Sequence, residues 1–316
     1  MTRAVAFAYS EVGYNCLEVL LAAGVDVALV ITHRDDPAES RWYRSVAELG
    51  RRRGLKVSEF ESLSATECLR ALRSIGPDFL FSFYCRRMLA PALLACARQG
   101  ALNMHGSLLP QYRGRAPVNW AIVNGESRTG ASLHYMTERP DAGDLVDQEA
   151  VEIGVDDTAL DVSVKVAGAA RRVLERSLPG LVAGTAPRLP LDLARGSYFG
   201  GRSPADGEID GSKPAWQIHN LIRAVAPPFP GAFAEVDGLR LELLGSQWRN
   251  EASQHPDQAP RLYASGGKLY LDCLDRHRIT VTGARLDGVT LTAAEMTARL
   301  EALKLNPNPL NTGAVV

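Results

Sequence analysis

Residues 79–84 read Phe-Leu-Phe-Ser-Phe-Tyr, an almost continuously apolar run of strand length. Such a run predicts a strand that is buried on both faces, as in a parallel sheet. A short helix is expected over residues 91–98, and residues 101–104 form a second apolar run. This strand–helix–strand order favours a parallel α/β unit.

The same alternation extends back to the N-terminus. Apolar runs predict the strands, and leucines at helical spacing predict the helices between them. The strands are expected at residues 4–9, 25–32 and 56–60, and the helices at residues 15–23, 39–53 and 66–75. Strands at residues 131–136 and 145–153 precede a long helix that begins at Thr158, where Asp161 completes a capping box. We expect a mostly parallel sheet with helices on both sides.

The C-terminal third has a different pattern. Residues 196–214 are rich in Gly, Pro, Ser and Asp, which indicates a linker. A short helix is followed by five short strand candidates, at residues 231–236, 239–244, 262–264, 268–271 and 279–286. These favour a small β-barrel, with the OB-fold as one option. Residues 246–260 are expected to form a polar loop, residues 295–303 a terminal helix, and residues 306–316 a frayed end.

The composition is that of an ordinary globular protein. Of 316 residues, 46% are hydrophobic, and 35 basic against 36 acidic residues give a net charge of −1. This balance argues against a chain built mainly to bind nucleic acid or an anionic membrane. No apolar run approaches the ~20 residues that span a bilayer, and the N-terminus lacks the features of a signal peptide. Five widely spaced cysteines without a CxxC pair predict reduced thiols and a cytoplasmic location.

The densest group of chemically useful residues follows the second buried strand. Residues 103–117 read NMHGSLLPQYRGRAP, at the carboxyl end of that strand, which is where ligands bind in open parallel sheets. Asn103 and His105 are two residues apart, so both side chains leave the strand on the same face. A carboxamide can donate to an oxyanion and an imidazole can move protons, so the pair suits acyl transfer. A single histidine at a strand end is, however, more often structural than catalytic.

A second group, residues 139–144 (RPDAGD), lies between two predicted strands. By itself it indicates a turn. A carboxylate of Asp141 beside His105 would orient the ring and raise the pKa of the imidazole. Arg113 and Arg115 could clamp a phosphate or a carboxylate, although arginines in exposed loops are usually solvated.

Other chemistries lack their motifs. The sequence has no GxGxxG fingerprint after the first strand, no Walker P-loop and no GxSxG elbow. The remaining histidines have no metal-like spacing and are interpreted as structural or surface residues. They are His33, His134, His219, His255 and His277. We therefore expect no metal, and a direct transfer between two bound substrates.

These motifs and their order resemble the signature of the 10-formyltetrahydrofolate-dependent formyltransferases. The resemblance rests on residues 103–110, 112–114 and 117, and on residues 125–126, 129–130, 141–144, 222–224 and 230–233. It implies an α/β fold with a Rossmann-like catalytic domain over residues 1–200, and a linker with a small OB-like barrel domain over residues 201–316. It also implies 10-formyltetrahydrofolate as co-substrate and a small-molecule amine as acceptor.

The resemblance implies the site residues as well. Asn103 would stabilise the oxyanion, His105 would move the protons, and Asp141 would hold His105. The folate would lie along the loop after the fourth strand and the loop before the aspartate. Its implied contacts are Arg87, Met88, Leu89, Arg115, Thr137, Glu138, Arg139, Pro140 and Asp141.

Within the family, several segments resemble most the formyltransferase module of the bifunctional enzyme that makes UDP-4-amino-4-deoxy-L-arabinose for lipid A modification and polymyxin resistance. These segments are residues 7–9, 32–37, 81–84 and 105–117. The resemblance implies a UDP-amino sugar as acceptor. The bifunctional enzyme carries a decarboxylase domain after this module, so we expect a separate decarboxylase of the same pathway, or a different amine.

Three alternatives stay open. The acceptor could be N5-hydroxyornithine or another small amine, or methionyl-tRNA, or the chain could be a binding protein that has lost catalysis. Binding of tRNA requires a basic surface, whereas residues 213–316 carry eleven basic and ten acidic residues. The intact set of Asn103, His105 and Asp141 argues against a lost activity.

Overall fold

Two large sheets organise the part of the chain that the computed structural model describes, which is residues 1–35, 40–62, 64–236 and 238–302. The chain forms two units. Unit 1 consists of residues 1–117, 128–152 and 163–200, and unit 2 consists of residues 118–127, 153–162 and 201–316. The predicted domains, residues 1–200 and 201–316, stay a prediction.

The strands and α-helices are numbered in chain order. The strands are β1 (Arg3–Ala8), β2 (Asp26–Thr32), β3 (Val57–Glu59), β4 (Phe79–Phe83), β5 (Gly100–His105), β6 (Arg113–Gly114), β7 (Arg128–Tyr135), β8 (Leu145–Glu152), β9 (Tyr198–Phe199), β10 (Ala232–Val236), β11 (Leu239–Ala252), β12 (Arg261–Ser265), β13 (Lys268–Asp272), β14 (His277–Leu286) and β15 (Val289–Leu291). The helices are α1 (Ser10–Ala22), α2 (Val46–Arg52), α3 (Ala65–Ile75), α4 (Pro91–Leu94), α5 (Pro117–Val123), α6 (Ala159–Ala183), α7 (Ala215–Val225) and α8 (Ala293–Ala302). Strands and helices alternate through β5, as the sequence predicts.

The sheet of unit 1 has the strand order β3-β2-β1-β4-β5-β7-β8. The first five strands are parallel, whereas β7 and β8 join the sheet antiparallel. All five residues of β4 are buried, which explains its continuous apolar sequence. The predicted Rossmann-like, mostly parallel sheet is therefore confirmed.

The first residues of α1 and α2 differ from those predicted from the sequence. α1 begins at Ser10, five residues before the predicted start, because Gly13 lets its first turn lie against Ala8 at the end of β1. α2 begins only at Val46, where the Ser45 side chain accepts a hydrogen bond from the N–H of Glu48 and caps the helix. Residues 36–39 lie outside the described residues. Within the described ranges, no helix combines the length and apolar character needed to cross a bilayer.

The sheet of unit 2 is antiparallel and has the order β10-β11-β14-β13-β12, with β15 paired to β14. Aliphatic residues of α7 and the strands form one buried core, among them Ile218, Ile222, Leu241, Leu271 and Ile279. A separate antiparallel sheet in the C-terminal region is thereby confirmed. In the described part of the chain it has six strands rather than the five predicted.

The predicted loop at residues 246–260 is partly wrong, because β11 continues to Ala252. Three register shifts against β14 interrupt the alternation of side chains in this half of the strand. Most of its side chains are exposed or half-buried, so the sequence shows neither an apolar run nor a period of two. The predicted linker at residues 196–214 also contains a strand, since Tyr198 and Phe199 pair with β6. The predicted frayed end, residues 306–316, lies outside the described residues.

Candidate active site

The candidate site is built on β5, an interior strand of the sheet in unit 1. β5 pairs in parallel with β4 and antiparallel with β7. This register places Asn103 opposite His134 and His105 opposite Ser132. β5 is therefore the strand at which the sheet changes from parallel to antiparallel pairing. Asn103 and His105, which we predicted to act together, lie at its carboxyl end.

One carboxylate oxygen gathers three side chains. Asp141 Oδ1 lies 3.3 Å from Asn103 Nδ2, 3.6 Å from His105 Nδ1 and 3.5 Å from His134 Nε2. The other oxygen, Oδ2, accepts a hydrogen bond of 2.9 Å from the N–H of Gly114. The structure thus brings the three predicted residues together and adds His134, which we interpreted from sequence as structural or surface. We refer to Asn103, His105, His134 and Asp141 as the Asp141 cluster.

The partners of His105 fix its tautomer. Its Nε2 lies 2.8 Å from the carbonyl oxygen of Tyr112, which can only accept, so Nε2 carries a hydrogen. In the neutral ring Nδ1 therefore presents a lone pair toward Asp141. A proton added at Nδ1 would convert this contact into a hydrogen-bonded ion pair. The site is consequently arranged to bind an imidazolium at His105 once a proton arrives there.

Asn103 and His134 are oriented by the same reasoning. His134 Nδ1 donates to the carbonyl of Tyr135 at 2.8 Å, so its Nε2 accepts from Asn103 Nδ2 at 3.1 Å. The second N–H of the amide is directed at Asp141. The opposite amide orientation would face its oxygen toward the carboxylate and is disfavoured. The amide therefore presents N–H donors inside the cluster.

Burial dominates the electrostatics of the cluster. Desolvation lowers the pKa of His105, and the negative charge of Asp141 opposes this effect. Burial by itself would raise the pKa of Asp141, but the two histidines and the Gly114 N–H outweigh it and hold that pKa well below its usual range. At neutral pH an ionised Asp141 thus faces a neutral, proton-accepting His105.

Hydrogen bonds hold the loop after β5 in place. The Ser132 hydroxyl donates to the carbonyl of Ser107 at 2.6 Å and accepts from the N–H of Leu109 at 3.1 Å. A Cβ on Gly106 would meet the hydroxyl of Tyr84, so only glycine allows this close approach to the loop after β4. These contacts set the position from which the Tyr112 carbonyl reaches His105.

The predicted folate contacts lie on two loops of unit 1. In the loop after β4, the Arg87 guanidinium stacks over the Phe60 ring at 5.0 Å, Met88 is 57% exposed and Leu89 is buried. In the loop before Asp141, the Thr137 hydroxyl donates to the carbonyl of Arg139 at 2.9 Å. Arg115, Thr137, Glu138 and Arg139 are exposed, and Pro140 is half-buried.

Among the predicted folate contacts in the described residues, only Asp141 forms a hydrogen bond or ion pair with Asn103, His105 or His134. Its φ of +48° is unusual for a residue other than glycine. The turn of residues 139–144 is therefore held in a sparsely populated conformation that delivers the carboxylate to His105. Across the described ranges, no group of three or more metal-ligating side chains is placed to hold a metal ion.

Comparison with protein families identifies the chain. Residues 9–178 match the formyl transferase family, and residues 202–300 match the C-terminal domain of formyl transferases. The chain belongs to the formyl transferase family. The Asp141 cluster lies within the first match, and the sheet of unit 2 lies within the second. The predicted enzyme class, a formyltransferase, is confirmed.

Solved structures share the formyltransferase fold. An N-formyltransferase from Helicobacter canadensis, in complex with folinic acid and dTDP-3-aminofucose, matches with a TM-score of 0.71 and 20% identity, over 89% of this chain and 99% of that chain. WlaRD, a sugar 3N-formyl transferase with dTDP and 5-N-formyl-THF, matches with a TM-score of 0.68 and 18% identity, over 89% and 97%. A 4-N formyltransferase from Francisella tularensis matches with a TM-score of 0.59 and 20% identity, over 73% and 91%.

Proposed function

We propose that this formyltransferase transfers a formyl group from 10-formyltetrahydrofolate to the 4-amino group of a nucleotide-linked amino sugar, with UDP-4-amino-4-deoxy-L-arabinose as the acceptor. The observation that carries the proposal is the Asp141 cluster at the carboxyl end of β5 in a chain of this family. Similar solved structures of sugar N-formyltransferases hold folate derivatives, a dTDP-amino sugar or dTDP, which supports both substrate classes.

The residues of the cluster have complementary roles in this reaction. When bound, 10-formyltetrahydrofolate supplies an activated formyl group. His105 accepts the proton that the acceptor amine releases, because its buried ring is neutral and Nδ1 is open to protonation. Asp141, 3.6 Å from Nδ1, binds the resulting imidazolium and keeps it oriented until the proton passes to the folate nitrogen. The bond between that nitrogen and the formyl carbon breaks after the bond from the amine has formed. Asn103 donates one N–H to the formyl oxygen as that oxygen gains negative charge.

Asn103 must share its donors to do this. Both N–H groups are directed at partners, His134 at 3.1 Å and Asp141 at 3.3 Å. Once His105 is protonated, Asp141 receives a stronger, charged donor from the imidazolium. The Asn103–Asp141 hydrogen bond is then the one that is released most easily. Proton transfer to His105 and oxyanion stabilisation by Asn103 are coupled through Asp141.

The loops beside the cluster fit a folate. Met88 is apolar and 57% exposed, which suits contact with a flat aromatic ligand. Arg87 and Arg115 add positive charge that matches the carboxylates of a glutamyl tail. We propose as folate contacts the residues Arg87, Met88, Leu89, Arg115, Thr137, Glu138, Arg139, Pro140 and Asp141.

The proposal extends to the organisation of the chain. Residues 1–200 would form the catalytic domain, and residues 201–316 would form the linker and the OB-like domain. The pathway would be cytoplasmic. The basis for this finer assignment is the resemblance to the module of the bifunctional arabinose enzyme.

A steady-state assay with 10-formyltetrahydrofolate and a panel of amines tests the function. The panel contains UDP-4-amino-4-deoxy-L-arabinose, dTDP-3-amino and dTDP-4-amino sugars, N5-hydroxyornithine and methionyl-tRNA. We expect turnover of the UDP sugar far above the others, and a reduction of that turnover by about 10²- to 10⁴-fold in His105→Ala. Turnover of a different amine would keep the reaction and overturn the acceptor. Equal turnover by wild type and by His105→Ala would overturn the site.

A further inference from the structure

Arg113 is a buried arginine whose Nε lacks a partner among the described residues. The residue is 6% exposed, and its Nε is buried without a hydrogen bond. Within the described ranges, no side-chain hydrogen bond and no ion pair of Arg113 is present. By its sequence, this arginine could be either a clamp for an anion or a solvated loop residue. Because Arg113 is buried, the interpretation as a solvated loop residue is excluded.

An unpartnered buried guanidinium is costly for the fold. The group stays protonated in proteins, so it cannot avoid the penalty by losing its charge. A buried charge is normally paired or hydrogen-bonded, because its hydration is lost on folding. Within the described residues, Nε of Arg113 is therefore a buried donor without an acceptor, and an anion that reaches the guanidinium would supply one.

Arg223 in unit 2 shows that this chain can satisfy a buried arginine. It is only 2% exposed, yet its Nε donates to Asn220 at 2.9 Å. Its Nη1 donates to the carbonyls of Gly154 and Asp157, at 3.1 and 3.0 Å. Arg223 thus has the bonding expected of a structural arginine. Arg113 does not, although it is buried to a similar degree.

The backbone fixes Arg113 next to the Asp141 cluster. The carbonyl of Tyr112, the residue before it, accepts from His105 at 2.8 Å. The N–H of Gly114, the residue after it, donates to Asp141 at 2.9 Å. The N–H of Arg113 itself donates to the Ser197 carbonyl at 3.0 Å, which anchors the segment. The cation is therefore carried by the segment that touches both proposed catalytic groups.

We propose that Arg113 is an anion-binding residue that receives two oxygens of a phosphate or carboxylate group from a substrate bound at the Asp141 cluster. A guanidinium fork matches such a pair of oxygens and binds it in a fixed orientation. The identity of the anion rests on the proposed function, in which the nucleotide sugar brings a diphosphate and the folate brings carboxylates. Binding of either would neutralise the charge that folding leaves buried.

The test measures ligand binding by thermal denaturation and calorimetry, without turnover. Wild type, Arg113→Met and the exposed-site control Arg73→Met are each titrated with UDP, inorganic pyrophosphate and folinic acid. We expect at least one of these anions to raise the Tm of wild type and of Arg73→Met. In Arg113→Met the same ligand should bind about 10- to 100-fold more weakly. UDP and pyrophosphate report a diphosphate site, and folinic acid reports a carboxylate site.

The unliganded variants give a second readout. Replacing an unpaired buried charge by an apolar side chain of similar size should leave the Tm unchanged or raise it. Replacing the satisfied arginine, in Arg223→Met, should lower it. If Arg113→Met does not fold, Arg113→Lys keeps the charge but loses the fork, and its affinity for the same anion should fall while its Tm is maintained.

Unchanged affinity for all three ligands in Arg113→Met, or in Arg113→Lys if that variant is used, would overturn the inference, as would the absence of any anion effect on wild type. These outcomes are distinct from failure of the proposed function. A protein that formylates none of the amines but binds an anion through Arg113 would refute the reaction alone. An active enzyme whose anion affinity and acceptor KM are unchanged in the Arg113 variants would refute this inference alone.

Discussion

Both units bury histidines among polar groups, and His105 of unit 1 is bonded differently from His219 of unit 2. In unit 2, His219 has both ring nitrogens occupied, by the carbonyl of Val155 and the hydroxyl of Ser246, each at 2.8 Å. In unit 1, His105 has one nitrogen on a carbonyl and the other facing a carboxylate at 3.6 Å. A neutral ring satisfies the partners of His219, whereas only a protonated ring completes the bonding of His105.

The buried arginines repeat this contrast. Arg223, near His219, is satisfied by side-chain and backbone oxygens. Arg113, near His105, lacks such partners in the described part of the chain. Burial of polar groups is therefore shared by both units and does not distinguish function from structure. Nε of Arg202 and of Arg261 in unit 2 is also buried without a partner, but each of those guanidinium groups has another hydrogen bond, to the Asp206 carbonyl and to the Gln258 side chain. What distinguishes His105 and Arg113 is that their open bonding capacity lies in or directly beside the Asp141 cluster.

The largest expected effect separates the two histidines by activity. His105→Ala removes the proton acceptor and should lower the kcat/KM of the folded enzyme by about 10²- to 10⁴-fold. His219→Ala should leave the activity per folded molecule close to normal. Formyl transfer assays and thermal denaturation on both variants measure this. A loss of activity in His219→Ala as large as in His105→Ala would remove the distinction.

The next effect separates the units by stability. Arg223→Met leaves the Asn220 side chain and two buried carbonyls without their donor, so the free energy of unfolding should fall by about 2–4 kcal/mol. Urea denaturation followed by circular dichroism measures this change. A variant as stable as wild type would show that the hydrogen bonds of Arg223 are not what stabilises unit 2.

A smaller effect concerns pH. Asp141 raises the pKa of His105 against the lowering by burial, so Asp141→Asn should lower that pKa further. The acidic limb of the kcat/KM profile, which reports the neutral form of His105, should then move to lower pH, with reduced activity at every pH. A pH–rate series on wild type and variant gives the direction. A shift to higher pH would mean that another group controls the limb.

The smallest effect tests whether open bonding capacity by itself marks function. The Thr129 hydroxyl in β7 is buried without a partner in the described residues, but Thr129 belongs neither to the Asp141 cluster nor to its loop. Thr129→Val removes an unsatisfied group and should raise the free energy of unfolding by about 1 kcal/mol with unchanged kcat/KM. Reduced activity in this variant would extend the functional region along β7.

Some features of unit 1 can be predicted from a short stretch of sequence. β4 and β5 are readable because strands buried on both faces need continuous apolar sequence. The Asn103–His105 pair is readable because a period of two belongs to one strand. The contact between Asp141 and His105 could not be predicted from the turn motif alone, since such a motif does not specify where its carboxylate points.

Other features depend on contacts between distant segments. His134 joins the cluster through the register between β5 and β7, which follows from packing of the whole sheet. Arg113 lies in a sequence rich in Gly, Pro and Arg that is typical of an exposed loop, and its burial follows from pairing with residues 198–199. The polar half of β11 is strand because β14 offers it partners. None of these partners is adjacent in sequence.

Asn103 and His134 lie opposite each other on β5 and β7, two interior strands of the sheet. Their alignment is therefore lost only when the sheet itself opens. Amide hydrogens of such strands exchange with solvent mainly through global unfolding, whereas loops open locally at little free-energy cost. Asn103 and His134 lie in such strands, whereas Asp141 lies in the turn between β7 and β8. The amide and the imidazole should remain aligned until unit 1 unfolds cooperatively.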